Sequence, residues 1–251
     1  MTMRTILAVD IGNTSATFGV FRGKRLAAKF SMLTDRLNPS FPSKHRLFRG
    51  PFDAILVSSV VPAKNGVLKK AARQLGAPVR IIGRDLAVPI RNLARNPREV
   101  GIDRLLNALE AYRVFGAACV AIDFGTAITF DVVSSKGEYC GGVIAPGVEL
   151  SLNALFEKTA LLPRIRMQRP HRVVGRDTIA CIRSGCSYGI GALCDGILRR
   201  IQAERGGPLR VIATGGYARY ISRYSALIRR IDDDLILKGI QTLDALSLER
   251  D

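Results

Sequence analysis

The chain has 251 residues, 47% of them hydrophobic, which is enough for one large core or two ordinary ones. Its formal net charge is +17, but the basic residues are scattered and aromatics make up only 6%; this disfavours a stacking or groove-reading nucleic-acid surface and leaves a solvated arginine-rich face or a positive field for polyanionic substrates. No apolar run approaches the ~20 residues that cross a bilayer, the short apolar run before Asp10 is no secretion signal, and five cysteines without a CxxC pair argue against a disulfide framework or zinc site, so the sequence predicts a soluble, cytoplasmic protein with reduced thiols.

From the N-terminus, Thr5 to Val9 is an apolar run that predicts a strand, and Asp10 to Ser15 follow as a polar turn. ATFGVF (16–21) predicts a second strand, RGK (22–24) a hairpin turn and RLAAKF a third strand. DAILVSSVVP (53–62) predicts a buried strand with its loop, 63–76 an amphipathic helix stopped by Gly76, and PVRII a short strand. Residues 83–100 mix prolines, glycines and arginines and predict a loop; 101–116 predict a helix with Leu105, Leu106 and Leu109 on one side.

The second half repeats the opening. AACVAI (117–122) predicts a strand, Asp123 to Thr126 a polar turn, ITFDVV (128–133) a strand, SSKGE a turn and YCGGVI a third strand. ELSLNALFEKTALL and TIACIRSGCSYGIGALCDGILRRIQAE predict helices; glycines 185, 189, 191 and 196 in the latter predict close packing or one break. RVIATGG (210–216) predicts a strand running into a glycine turn. The repeat predicts two similar α/β domains, 1–116 and 117–251.

The repeated turns have a chemistry suited to polyphosphate. Glycine lets backbone N–H groups come close to an anion, and Asn13, Thr14 and Thr126 offer further donors. Asp10 and Asp123 repel phosphate unless a cation lies between, so the pattern predicts a metal-assisted clamp. One such turn is common in any α/β fold; the repetition, together with ATGG at 213–216 where a nucleoside can lie against bare backbone, favours nucleotide binding. No GxxxxGK[ST] occurs, which excludes a P-loop enzyme. The two histidines, His45 and His171, lie in no strand-turn-helix setting, which argues against a Ser-His-Asp hydrolase; His171 reads as a surface residue of a basic loop.

VGIDR (100–104) is the candidate acceptor site. Gly101 gives backbone freedom, Asp103 stands at a helix start where the dipole favours an anion, and Arg104 can fix an acceptor carboxylate or keep Asp103 ionised. Phosphoryl transfer asks the protein mainly for positioning, charge neutralisation and a carboxylate to receive the hydroxyl proton. The alternative for Asp103 is a helix N-cap. Asp131 reads either as a solvent-facing strand residue or as an acid standing behind a cation site.

DIGNT (10–14), SSVVP (58–62), NPREVGIDRLLNA (96–108), DFGTAITFDVV (123–133) and GEYCGGVIAPG (137–147) are followed by LPRI (162–165), GRDT (175–178), SG (184–185) and ATGG (213–216). On these motifs, in this order, the chain resembles the type III pantothenate kinases of the acetate/sugar kinase–heat-shock–actin superfamily. The resemblance implies duplicated actin-like (ribonuclease H-like) α/β domains with a cleft between them: a first phosphate loop and the acceptor motif in 1–116, a second phosphate loop and an adenosine-side ATGG in 117–251. It implies ATP-dependent phosphorylation of pantothenate to 4'-phosphopantothenate, the first step of coenzyme A synthesis. ATP is then bound by Asp10, Ile11, Gly12, Asn13, Thr14, Ser15, Ala16 and Thr17, and by Thr126. Asp103 is the general base, and Gly101, Ile102, Asp103 and Arg104 contact pantothenate with Thr178. Asp123 is the ligand of a monovalent cation, K+ or NH4+, used beside Mg2+. It also implies a homodimer with pantothenate near the subunit interface; the composition predicts no membrane partner and disfavours nucleic acid.

Three departures from the family pattern stand out. The tyrosine often found just upstream of the NP is absent, its stretch holding Leu93 and Ala94; GRDT has Asp177 where Asn is usual; and DDDLILKGI (232–240) lacks the usual proline. The first motivates an alternative, a kinase of another small hydroxyl acceptor on the same fold. The charge motivates another, a basic regulatory or nucleic-acid-binding protein.

Overall fold

The computed structural model describes residues 3–40, 48 and 50–249; His45 lies outside them. The chain forms two compact units, Met1–Glu110 with Asp234–Asp251, and Ala111–Asp233.

In the first unit, β1 (Thr5–Ile11), β2 (Ser15–Arg22) and β3 (Arg25–Leu33) form an antiparallel meander. β4 (Ala54–Ser59) adds to β1 in parallel, and β5 (Val79–Ile81) to β4, giving the order β3-β2-β1-β4-β5. Parallel neighbours need a crossover, and α1 (Pro62–Gln74) supplies it between β4 and β5. β1 is buried on both faces and its side chains alternate. Leu7, Val9 and Ile11 join Phe18, Val20 and Val57 on one face. Ile6 and Ala8 join Leu56 on the other, beneath two helices, α2 (Ile102–Phe115) through Leu106 and α7 (Leu235–Leu248) through Leu237, Ile240 and Leu243.

α7 is where the structure departs most from the sequence reading, which cuts the chain near residue 116 and leaves everything beyond it in the second half. The last helix instead belongs to the first unit. Gly239 lets it approach α2 closely, because a Cβ there would lie 2.6 Å from the Leu106 carbonyl oxygen. Arg4, just before β1, makes a two-pronged ion pair with Asp244 at 2.8 and 3.0 Å. Thr242 Oγ1 donates to the buried Glu110 carboxylate of α2 at 2.7 Å, so an otherwise costly acid has a partner.

The second unit repeats the sheet. β6 (Cys119–Phe124), β7 (Ala127–Val133) and β8 (Tyr139–Pro146) are antiparallel, β9 (Arg210–Thr214) is parallel to β6, and β10 (Arg230–Ile231) is parallel to β9. The order β10-β9-β6-β7-β8 is that of the first unit strand for strand. Val120, Ile122 and Phe124 of β6 pack under α3 (Val148–Lys158) and α5 (Ile190–Arg205) through Val148, Leu152, Ile190, Cys194 and Leu198. The glycine-rich segment ahead of α5 is no break: α4 (Thr178–Ser184) runs through a single π turn, Gly185–Gly189, straight into α5. Buried Asp195 accepts bonds from Ser225 Oγ and from the N–H groups of Ala226 and Leu227. Burial alone would raise its pKa, but those bonds outweigh it and hold the carboxyl low. α6 (Ala218–Ile221) follows the turn after β9.

All five cysteines are free thiols. No helix among the described residues is long and apolar enough to cross a membrane.

The α2–α7 contact gives a direct test. Gly239→Ala forces a methyl against the Leu106 carbonyl and should destabilise the protein by ~1–3 kcal/mol in urea unfolding. An unchanged midpoint would mean that the two helices are not held at this spacing.

Candidate active site

The first turn begins later than the sequence suggests. Asp10 and Ile11 still belong to β1, and only Gly12, Asn13 and Thr14 lie between the strands. Strand alternation puts Asp10 on the same sheet face as Ile6 and Ala8, the face under α2. Ser58, its register partner on β4, donates Oγ–H to Asp10 Oδ1 at 2.9 Å. The Gly12 N–H is bonded to Ser15 O at 2.9 Å, while Asn13, Thr14 and Ser15 are exposed. Ile11 and Ala16 are fully buried and hold the strand ends in the core, and Thr17 exchanges a hydrogen bond with Ser31 at 3.1 Å. Of the predicted ATP stretch, the side chains that face outward are therefore Asn13, Thr14 and Ser15.

A residue the sequence reading passes over braces this turn. Thr34, directly after β3 and buried, donates its Oγ1–H to Gly12 O at 2.7 Å and its N–H to Thr14 O at 3.0 Å. Nothing in its local sequence marks it, because the partners lie 20 and 22 residues upstream, across the β2–β3 hairpin.

The second turn is shorter by one residue, with Gly125 and Thr126 between β6 and β7, both exposed. Asp123 lies within β6, opposite Thr129 on β7 and Thr214 on β9, as Asp10 lies opposite Thr17 and Ser58. Gly147 occupies the place that Thr34 holds in the first unit: its N–H donates to Thr126 O at 3.0 Å. Here the turn's carbonyls come so close that a Cβ on 147 would overlap Thr126 O and lie 2.5 Å from Gly125 O. Gly215, at φ +90°, presses on the turn as well; a Cβ on it would lie 2.5 Å from Asp123 Oδ1.

Asp131 faces the interior, not solvent. It is fully buried and accepts bonds from Thr129 Oγ1 and Tyr139 Oη, both at 3.1 Å. Thr129, the register partner of Asp123, thus bonds Asp131 two residues further along β7, where Asp131 stands opposite Ala121.

The acceptor motif opens α2. Asp103 is the second residue of the helix and not its N-cap; its Oδ1 accepts the Arg104 N–H at 2.9 Å. A Cβ on Gly101 would overlap the same oxygen, so glycine there is what lets the carboxylate fold back over the first turn. Burial pushes the Asp103 carboxyl above its ordinary pKa, against the opposing pull of the Arg104 N–H and charge. Ile102 packs beneath, on the α2–α7 core. In place of the family's tyrosine, Asn92 forms a tight turn that accepts the Ala94 N–H at 3.0 Å and leaves Leu93 exposed. Thr178 is exposed at the first turn of α4, which Asp177 caps by accepting the Ala180 N–H at 2.8 Å. Aspartate therefore does the capping work that asparagine would do.

A cavity of about 610 Å³ in the second unit is lined by Arg169, Pro170, His171, Tyr188, Arg223 and Tyr224. It contains none of the predicted site residues; His171 on its lining is exposed, as expected of a surface histidine. Among the described residues no cluster of three or more His, Cys, Asp or Glu could hold a metal by itself.

The model of the type III pantothenate kinase family matches residues 6–200. The chain is 38% identical over 248 residues to the type III pantothenate kinase of Moorella thermoacetica, covering 94% of this chain and 97% of that protein. It is 41% identical over 246 residues to that of Rhodospirillum rubrum, covering 94% and 96%. Among solved structures it is similar to a protein described as a Baf family transcriptional activator from Campylobacter jejuni (TM-score 0.64, 18% identity, 97% of this chain and 99% of that one). It is also similar to component A of (R)-2-hydroxyglutaryl-CoA dehydratase from Acidaminococcus fermentans (TM-score 0.57, 12% identity, 99% and 100%). With the two matching sheets, these likenesses establish the fold as duplicated actin-like domains.

The raised Asp103 pKa carries a stability consequence. Its charged form is disfavoured by folding, so the cost is absent below the unfolded pKa near 4 and present once pH rises past the folded value. Asp103→Asn, which can still accept the Arg104 N–H, should be at least as stable as the parent at pH 7 in thermal unfolding, and any gain should vanish below about pH 4. A variant clearly less stable at pH 7 would mean that the carboxylate is a structural anchor.

Proposed function

The chain belongs to the type III pantothenate kinase family, and on that footing we propose that it transfers the γ-phosphoryl group of ATP to the primary hydroxyl of pantothenate, with Asp103 as the general base. The products are ADP and 4'-phosphopantothenate, the entry to coenzyme A synthesis. The observation that carries the assignment of the base is the Asp103 carboxylate, half-buried at the start of α2, with its pKa raised towards the working range of a general base. As the new O–P bond forms and the bond to ADP breaks, the hydroxyl proton passes to this carboxylate. Gly101 and Ile102 shape the acceptor side, and the neighbouring Arg104 supplies a guanidinium for the pantothenate carboxylate.

ATP is assigned to the exposed Asn13, Thr14 and Ser15 of the first turn and to Thr126 of the second. Mg2+ fits the Asp10 side. A single half-buried carboxylate with a hydroxyl neighbour suits an ion that keeps waters and phosphate oxygens as its other ligands. Bound there, it would neutralise charge on the transferring phosphate. The monovalent cation, K+ or NH4+, is assigned to Asp123, with Thr129 and Asp131 behind it.

We place the working enzyme in the cytoplasm as a homodimer, and Thr178 on pantothenate near the subunit interface. Support for a pairing surface comes from Leu161, Val173, Val174 and Ile179, large apolar side chains exposed on the second unit around Thr178 in the sequence. Free thiols throughout suit a reducing compartment.

Coupled ADP release tests the reading. Pantothenate should stimulate turnover, and K+ should raise it. No pantothenate-dependent turnover with or without K+ would overturn the assignment. Asp103→Asn should lower kcat by ~10²- to 10⁴-fold while MgATP still binds, and the acid limb of the parent's kcat profile should lie above the ordinary aspartate range. Near-parental turnover in Asp103→Asn would remove Asp103 as the base.

A further inference from the structure

Two backbone segments press on the Asp123–Thr126 turn, one at Gly147 and the other at Gly215. Each carries a polar side chain two residues further on. Glu149 lies in the first turn of α3, where an acid is favoured by the helix dipole. Tyr217 lies at the entry to α6, its ring half-buried against the core and set edge-on to Tyr220 at 6.3 Å. Tyr217 Oη donates to Glu149 Oε1 across 68 residues of chain.

The ring packing holds the phenol in one orientation, so the bond is preorganised. Burial, reinforced by the Glu149 carboxylate, pushes the Tyr217 hydroxyl well above its ordinary pKa, so it remains a donor throughout the physiological range. A bond to an ionised acceptor is stronger than one between neutral groups. This bond joins the segment after Gly147 to the segment after Gly215. The turn between them has exposed residues at its tip.

We propose that the Tyr217–Glu149 hydrogen bond is a clasp that keeps the Gly147 and Gly215 segments closed on the second phosphate loop and thereby sets the affinity for nucleotide. Tyr217 and Glu149 are then positioning residues that act through Asp123 and Thr126 without touching the reacting atoms. The inference rests on the assignment of the Asp123–Thr126 turn to ATP.

The test is calorimetric titration of a non-hydrolysable MgATP analogue, and separately of pantothenate, into the full chain. Tyr217→Phe keeps the ring and removes the donor; it should weaken nucleotide binding about fivefold. Glu149→Ala should have the same effect, the double variant no more than either single one, and Glu149→Gln, which still accepts, a smaller loss. Pantothenate affinity should stay within about twofold of the parent, because an intact fold leaves the acceptor motif unaltered. Unchanged nucleotide affinity in Tyr217→Phe would overturn the clasp, as would equal weakening of both ligands. The titration needs no turnover: a parent that binds nucleotide but phosphorylates no pantothenate fails the kinase reading alone, and a parent that binds no nucleotide overturns both.

Discussion

Each unit depends on how the carbonyls of one short turn are met. A strand that carries an aspartate one residue before its end and reverses within two or three residues leaves backbone carbonyls that must be bonded or closely packed. Both units meet this at the same topological place, the residue directly after the third strand. Thr34 does so with its hydroxyl and its N–H, bonding Gly12 and Thr14. Gly147 does so with its N–H and with empty space, because the carbonyls of Gly125 and Thr126 occupy the volume of a side chain. The one-residue difference in turn length accompanies this exchange: the longer turn leaves room for a threonine, the shorter one does not.

The aspartates acquire distinct surroundings from the same strand position. Asp10 has a serine hydroxyl as a donor from β4. Asp123 is flanked by the bare backbone of Gly215, and beyond its register partner Thr129 lies a second buried acid, Asp131, satisfied by Thr129 and Tyr139. The two aspartates thus share a strand position and register but not their neighbours.

The acceptor motif depends on the same economy of space. Gly101 makes room for the Asp103 carboxylate, and α2 carries it over the sheet face on which Asp10 also lies. That helix is clamped by α7, which the contact at Gly239, the Arg4–Asp244 pair and the Thr242–Glu110 bond hold in place. The last helix of the chain thus bears on the placement of the helix that carries Asp103.

The sequence by itself determined the repeat, most strands, the Asp103 helix and the outward-facing residues of both turns, because these follow from local periodicity and from residue types whose chemistry is their own. Its errors were at boundaries, as with Asp10 and Asp123, where a polar residue continues a strand because neighbouring strands bond its backbone on both sides. What only the tertiary structure decided were matters of distant partnership. Thr34 braces a turn formed before the intervening hairpin, Tyr217 meets Glu149, Asp131 turns inward to Tyr139, and Leu235–Leu248 returns to the first unit. Each depends on which surfaces the chain brings together to bury apolar area and satisfy polar groups, and neither quantity is a property of a local stretch of sequence.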